Sequence, residues 1–293
     1  MFKQQLLNAL TLGSVYALFA LGFTLVFGVL SVINLSHGAV FMVGAYTALL
    51  VTTRLHAPLW AGMLAAMLVS GLVGLLVDAL VLRRLRARHA PHLIPMIATI
   101  GVTIILTNAA QGLFGVEVQR FPEGLLPAWE FTVGDVHVRA LEIGIVAIAF
   151  ALMAALFALM KGTQLGRALR AIAESPKAAS LLGIHVEGLF HLTSFAAAAL
   201  GGVAGVLIGL NFNAITPIMG QPILHKGIAV IILGGMGDIR GALLGGLFLG
   251  FAEVMSKGYL SSQMGDAVAF GLLFLILLIR PSGLFGRVSE RKA

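Results

Sequence analysis

Cysteine is absent from this 293-residue sequence, which excludes a disulfide framework, a thiolate metal site and a cysteine nucleophile. Charge is scarce as well: 11% of residues are charged against 59% hydrophobic, and the mean hydropathy is +1.02. A soluble domain carries about one quarter charged residues and is apolar in roughly half. Water could not solvate such a surface, so the chain reads as an integral membrane protein. Nucleotide chemistry is missing too. No G-x-x-x-x-G-K-[ST] occurs, and the string from Gly235 to Gly241 reads G-x-G-x-x-x-G, which has the wrong spacing for a dinucleotide loop and lies between apolar runs. There is no H-E-x-x-H and no G-x-S-x-G, and the eight histidines are scattered. We therefore expect no catalytic residue, no metal site, no cofactor and no enzyme activity.

What is present is apolar length. Apolar segments lie at 6–29, 38–53, 58–82, 93–114, 141–160, 190–213, 223–238, 241–257 and 265–280, and several exceed the ~18 residues that argue for a membrane helix. The first segment follows a lone Lys3 without a clear A-x-A cleavage site, and reads as a span, not as a removed signal. The segments 38–53 and 223–238 are short for a full crossing and are candidates for tilted or re-entrant helices. The prediction is an all-α polytopic bundle of eight or nine membrane segments, some broken, forming one domain over 1–293.

The net charge of +7 does not signal nucleic acid, because of where it sits. Twelve of the 19 basic residues fall in three short stretches: Arg83 to Arg88, Lys161 to Lys177, and Arg280 to Lys292. Basic residues clustered in short loops mark the cytoplasmic side. That places 83–92, 161–190 and the C-terminus inside, in a cytoplasmic membrane, and 115–140 outside. The external segment carries Glu117, Arg120, Glu123, Glu130, Asp135 and Arg139, with turns at Pro122, Gly124, Pro127 and Gly134, and alternation from Phe131 to Val138 predicts a hairpin.

Polar residues interrupt the apolar pattern in three places: Asn34 to Gly38, Asn211 to Pro222, and Gly234 to Gly241. Each is either an interfacial turn or a helix break on a substrate path, where irregular backbone lines a cavity. His37 is a structural hydrogen-bonding residue or a ligand of that path. Asp238 and Arg240 read as a local ion pair at a cytoplasmic hairpin tip. Thr99, Thr103, Thr107 and Gln111 recur every four residues with Asn108 beside them, so one helix face is polar and must point into protein. It either walls the path or binds neighbouring helices together. Gly201, Gly205 and Gly209, and Gly237, Gly241 and Gly245, form ridges for close helix approach. Deep ionisable groups are few: Asp78 and Glu142 near helix ends, and Glu253 with Lys257 one turn later. A proton- or sodium-coupled carrier usually buries carboxylates near the midplane, so this scarcity counts against that class.

The segment Lys161 to Phe190 is the most informative. Leu165, Leu169 and Ile172 have helical spacing, Pro176 can open a second short helix with Ser175 as its N-cap, and Gly183 can end it. Ala178, Ala179, Leu181 and Leu182 then give a small apolar face, for docking into a partner or for lying on the membrane. The run Lys177-Ala178-Ala179-x-x-x-Gly183 resembles the E-A-A-x-x-x-G coupling motif of ABC importer permeases, with Lys in place of Glu and no I-x-L-P tail. The stretches 11–38 (TLGSVYALFALGFTLVFGVLSVINLSHG), 42–46 (MVGAY), 93–108 (LIPMIATIGVTIILTN), 166–184 (GRALRAIAESPKAASLLGI), 232–246 (ILGGMGDIRGALLGG) and 280–286 (RPSGLFG) resemble, in family order, the branched-chain amino acid permeases of the LivH type.

That resemblance implies a membrane-spanning subunit that pairs with a second, LivM-like permease, two cytoplasmic ATPase subunits and an extracytoplasmic solute-binding protein. It implies leucine, isoleucine, valine or related solutes, with urea and short amides as relatives' alternatives. It also implies an ATPase-facing surface at Gly166, Arg167, Arg170, Glu174, Lys177, Ala178, Ala179 and Gly183. Asn34, His37, Thr99, Thr103, Thr107, Asn108 and Gln111 are the candidate path residues. The competing class is a self-sufficient carrier or channel for a small polar solute.

Overall fold

A computed structural model describes residues 1–91, 93–122, 125, 129–133, 136–261, 263–280 and 283–284. Glu123, Gly124, Pro127, Gly134, Asp135 and the basic tail residues Arg287, Arg291 and Lys292 lie outside the described residues. All nine apolar segments form helices, and the protein is an all-α polytopic membrane protein with one small hairpin. The helices are α1 (Phe2–Leu30), α2 (His37–Arg54), α3 (Leu59–Val77), α4 (Arg83–Ala87), α5 (Leu93–Phe114), α6 (Ala140–Gly162), α7 (Gln164–Glu174), α8 (Pro176–Leu181), α9 (Val186–Phe212), α10 (Gly220–Gly234), α11 (Ile239–Tyr259) and α12 (Gly265–Ile279). A π turn over Asp78–Leu82 joins α3 to α4 without a break. Strands β1 (Glu130–Val133) and β2 (Val136–Arg139) pair antiparallel with Phe131 opposite Val138, as the alternation predicts.

Burial follows composition. Helix α1 is apolar all round and forms the centre, with 89% of its most apolar stretch buried, whereas α5 buries 17%. A helix hydrophobic on every side belongs either inside protein or in lipid, and α1 takes the first place, while α5 lies at the periphery with its Thr99 and Thr103 turned to the Leu35 backbone. Six helical stretches among the described residues are long and apolar enough to cross a membrane: α1, α3–α4, α5, α6, α9 and α11. The shorter α2 and α10 start in the interior. The ring of His37, at the start of α2, lies 4.7 Å from Phe19 and 5.6 Å from Phe23, half-way along α1. Gly220, at the start of α10, abuts Gly38. A side chain on either glycine would strike the other's backbone, so the two broken helices meet through bare main chain.

The arrangement is an inverted repeat. The set α1, α2, α3–α4, α5 is matched by α9, α10, α11, α12, running in the opposite sense. In each set a long helix is followed by an irregular stretch, a half-helix and another long helix. Helix α1 packs along α11 as α9 packs along α3. Ala20-Leu21-Gly22 in α1 is matched by Ala199-Leu200-Gly201 in α9, and both glycines bear on the His37 ring. Gly205 and Gly209 carry the ridge on to the Phe41 carbonyl and to Ile215 and Phe121, and Gly241 and Gly245 meet Gly234 and Val230 of α10. Gly237 is in the preceding turn, at φ +89°, and not on the helix.

The two ends of the bundle differ in charge. One end gathers α4, α7, α8, the turn before α11, Arg280 and Leu284, whose amide donates to the Leu233 carbonyl at 2.7 Å. At the other end Gln4 exchanges hydrogen bonds with the His137 backbone (3.0 and 2.9 Å), and Asn213 Oδ1 accepts from the Phe121 amide at 3.0 Å. The N-terminus, the hairpin and the end of α9 therefore share that end. Ten of the basic residues lie at the first end among the described residues: Arg83, Arg84, Arg86, Arg88, Lys161, Arg167, Arg170, Lys177, Arg240 and Arg280.

Candidate functional site

Three polar regions stand out: a protruding helical elbow at the basic end, the break before α2, and the break before α10. The elbow is built by two side-chain caps. Thr163 Oγ1 accepts from the Gly166 amide at 3.1 Å and starts α7, while Ser175 Oγ accepts from the Ala178 amide at 3.2 Å and starts α8 behind Pro176. Leu169, Ile172 and Gly166 face inward, and Gly166 lies against the Leu159 and Met160 carbonyls at the end of α6. Arg167, Arg170 and Glu174 are exposed, and Arg170 also donates to the Met160 carbonyl.

In α8, Ala179 is buried and Lys177 and Ala178 are exposed. Gly183, at φ +81°, closes the helix: its amide donates to the Ser180 carbonyl and that of Ile184 to the Ala179 carbonyl, both at 3.1 Å. That pair of bonds needs a left-handed residue, and glycine takes it without steric cost. The outcome is an apolar tip, with Leu181 82% and Leu182 79% exposed. The elbow ends at His185. The last five residues of the segment 161–190 already belong to α9.

Beneath the elbow, Asp78 is buried at the π turn. Its carboxylate takes Arg86 Nη1 at 2.6 Å and His191 Nδ1 at 2.6 Å. Arg86 and Arg83 reach Glu187 at 3.3 and 3.7 Å, which clamps α3–α4 to the first turns of α9. Asp238 makes no ion pair with Arg240 among the described residues. It caps α11 instead, accepting from the Arg240 and Gly241 amides at 2.7 and 3.1 Å, because an Asp one residue before a helix finds free amides closer than a guanidinium.

The break before α2 is closed. Asn34 Oδ1 accepts from the Ser36 amide (3.0 Å) and hydroxyl (2.6 Å). Thr99 and Thr103 of α5 complete it: Thr99 Oγ1 accepts from the Leu35 amide at 3.1 Å, and Thr103 donates to the Leu35 carbonyl at 3.2 Å. Thr107 lines only a void of about 10 Å³ with Gly38, Gly220 and Gln221, room for one water at most. Gln111 is half-buried, and Asn108 is exposed and donates back to the Ile104 carbonyl. His37 is enclosed by Phe19, Phe23, Gly22 and Gly201 and is 2% exposed. Thus the structure brings Asn34, Thr99 and Thr103 together around one loop, and leaves Asn108 and Gln111 apart from it.

The break before α10 is open. A cleft of about 420 Å³ between α10 and α12 is lined by Thr216, Ile218, Met219, Gln221, Pro222, His225, Lys226, Asp266 and Phe270. At its floor Lys226 Nζ donates to Glu253 Oε1 (2.8 Å) and Tyr16 Oη (3.0 Å) and pairs with Asp266 Oδ1 at 3.0 Å. Glu253, 1% exposed, also accepts from Lys257 Nζ at 2.6 Å and Tyr16 Oη at 2.9 Å. The i,i+4 pair read from the sequence is therefore one edge of a four-charge network, two positive and two negative. Lys226 and Asp266 escaped sequence reasoning. The available signal was a lysine inside an apolar helix, which calls for a named partner, but its partners lie in other helices. Among the described residues no group of three His, Asp or Glu is placed to hold a metal ion.

Comparison with known proteins accords with this architecture. Residues 5–277 match the family described as branched-chain amino acid transport system / permease component. The chain is 38% identical to the high-affinity branched-chain amino acid transport system permease protein BraD of Pseudomonas aeruginosa, over 99% of this chain and 98% of that one. It is 36% identical to LivH of Escherichia coli K12, over 99% and 97%, and 26% identical to LivM of Salmonella typhimurium, over 94% and 68%. No solved structure matches it. The chain belongs to the permease component family of branched-chain amino acid transport systems.

Proposed function

We propose that this chain is one of two membrane-spanning subunits of an ATP-driven importer that carries branched-chain amino acids across the cytoplasmic membrane. Its basic end faces the cytoplasm, as positive-inside charge requires, so the C-terminus is inside and the hairpin end meets an extracytoplasmic solute-binding protein. The partners are a LivM-like permease and two ATPase subunits, and the ATPases supply the P-loop this chain lacks.

The observation that carries the reading is the elbow α7–α8. Two apolar side chains about four-fifths exposed, flanked by Arg167, Arg170 and Lys177, make a short rigid knob suited to a groove on a partner with an acidic rim. Because α7 packs on the end of α6 and α1, tilting the knob moves helices that reach the opposite end. The Asp78–Arg86–Glu187 clamp ties α3–α4 to the first turns of α9, the helix that follows the knob in the chain.

A self-sufficient, ion-coupled carrier is the second reading, and Glu253, buried at membrane depth, is the observation in its favour. Both of its oxygens are engaged by Lys226, Lys257 and Tyr16, and two lysines already neutralise its charge, which disfavours a coupling cation there. That supports the first reading.

The test is purification of the tagged chain in mild detergent, with mass spectrometry of what co-purifies. P-loop ATPases and a second permease are expected. A chain that purifies alone and moves solute alone after reconstitution contradicts the proposal. Gly183→Arg sharpens it: the site has no heavy atom within 4 Å of an added Cβ, and left-handed backbone costs a non-glycine residue about 1–2 kcal/mol. The variant is expected in the membrane, folded but without uptake, and wild-type uptake would place the ATPase contact elsewhere.

A further inference from the structure

We infer that the cleft between α10 and α12 binds the zwitterionic head of a free α-amino acid, with Lys226 taking the carboxylate and Asp266 the ammonium. The inference rests on the amino-acid reading above and names where the permease itself would grip that solute.

A charge at membrane depth must face protein or a water-filled cavity. The Asp266 side chain is 57% exposed on the first turn of α12, so this chain leaves one side of the charged pair open to the cleft. Lys226 is 7% exposed, held from behind by Glu253 and Tyr16, so its ammonium is fixed in place with one direction left to the cleft. In that direction its partner among the described residues is Asp266, at 3.0 Å.

The empty site thus satisfies itself with an ammonium–carboxylate pair, and an amino acid offers the same two charges in complementary order. Parting the pair and inserting the ligand exchanges one ion pair for two and leaves the net charge of the cleft unchanged. A lone anion would leave Asp266 without its counter-charge, and a lone cation would leave Lys226 with only the Glu253 oxygen that it shares with Lys257. A neutral amide such as urea would replace a charged contact by a weaker one.

The remaining wall fits the rest of the solute. Ile218, Met219, Pro222 and Phe270 offer apolar surface beside the charged floor, which suits an aliphatic side chain. The volume of about 420 Å³ lies in the ordinary range of small-molecule pockets, roughly 300–1,000 Å³. The polar groups at its mouth, Thr216 and Gln221, belong to the irregular stretch and first turn of α10. Motion of the half-helix would therefore remake the site.

Weak binding is read best by saturation-transfer NMR on the full-length permease complex in nanodiscs, with leucine, leucinamide and 4-methylpentanoate as probes. Wild type is expected to bind leucine, and to bind the analogues lacking carboxylate charge or amine about 10-fold more weakly or worse, the loss of one hydrogen bond between charged groups. Asp266→Asn is expected to weaken leucine about 10-fold while strengthening 4-methylpentanoate, which lacks the ammonium and no longer has to displace a carboxylate from Lys226. A merely structural role would shift both alike. Ile218→Trp, at an exposed position, is expected to weaken leucine more than alanine, and serves should Asp266→Asn fail to fold. Equal binding of all three probes, unchanged leucine binding in both variants, or no leucine signal in wild type overturns the site. Leucine uptake by the complete transporter in cells separates the levels: uptake without cleft binding removes the site alone, and absent uptake removes the substrate reading with it.

Discussion

The two broken helices make the most instructive comparison in the molecule. Both α2 and α10 begin in the interior after an irregular stretch, and they touch at Gly38 and Gly220. The stretch before α2 is self-contained: Asn34, Ser36, Thr99 and Thr103 satisfy one another and Leu35, and Ser36 is wholly buried. The stretch before α10 is only partly tied down, with Asn213 at φ +45°, Ile218 exposed, and a charged cleft beside it. An inverted repeat places equivalent backbone in two environments: one copy spends its hydrogen bonds on itself, and the other is the one we propose to present side chains to a solute. Irregular backbone at membrane depth is therefore a site only when its own hydrogen bonds are not spent on itself.

Several substitutions would break or sharpen that contrast. The largest effect is expected from Glu253→Ala, which takes the buried carboxylate from between Lys226 and Lys257 and leaves Lys226 with Asp266 as its remaining anionic partner. Breaking a buried ion pair from one side costs about 3–5 kcal/mol, read as a lower melting temperature in detergent. Gly220→Val should cost about 3 kcal/mol by overpacking, because the added side chain meets the Gly38 carbonyl and disturbs both breaks at once. Asn34→Ala should cost about 2 kcal/mol, leaving the Ser36 donors unpaired in a buried loop, with uptake per folded molecule unchanged. Thr216→Ala should change stability by no more than about 0.5 kcal/mol yet lower uptake. If Asn34→Ala abolished uptake in folded protein while Thr216→Ala did nothing, the roles of the two breaks would be reversed.

Local chemistry was legible in the sequence wherever it is written in neighbouring residues. The nine apolar runs, the Phe131–Val138 hairpin, and the Ser175, Pro176 and Gly183 punctuation of the elbow all depend on contacts within a few positions, and all form as read. What was not legible depends on partners far apart in the chain. Thr99 and Thr103 show the right polar face, but only the fold reveals that the Leu35 backbone occupies part of it. Lys226 finds Tyr16 at a sequence separation of 210 and Glu253 at 27, which no periodicity reports. The Asp238–Arg240 reading failed for a local reason, since capping free amides competes with pairing and wins at a helix start.

The most direct measurement exploits the absence of cysteine from this chain. Single cysteines at Gln221, which borders the cleft, and at Ser36, buried in the closed break, would be exposed to a membrane-impermeant maleimide in intact proteoliposomes. The account predicts labelling of Gln221→Cys that leucine slows, with Ser36→Cys protected until the protein is denatured. Labelling of Ser36→Cys with protection of Gln221→Cys would contradict it, by placing the water-filled path at α2.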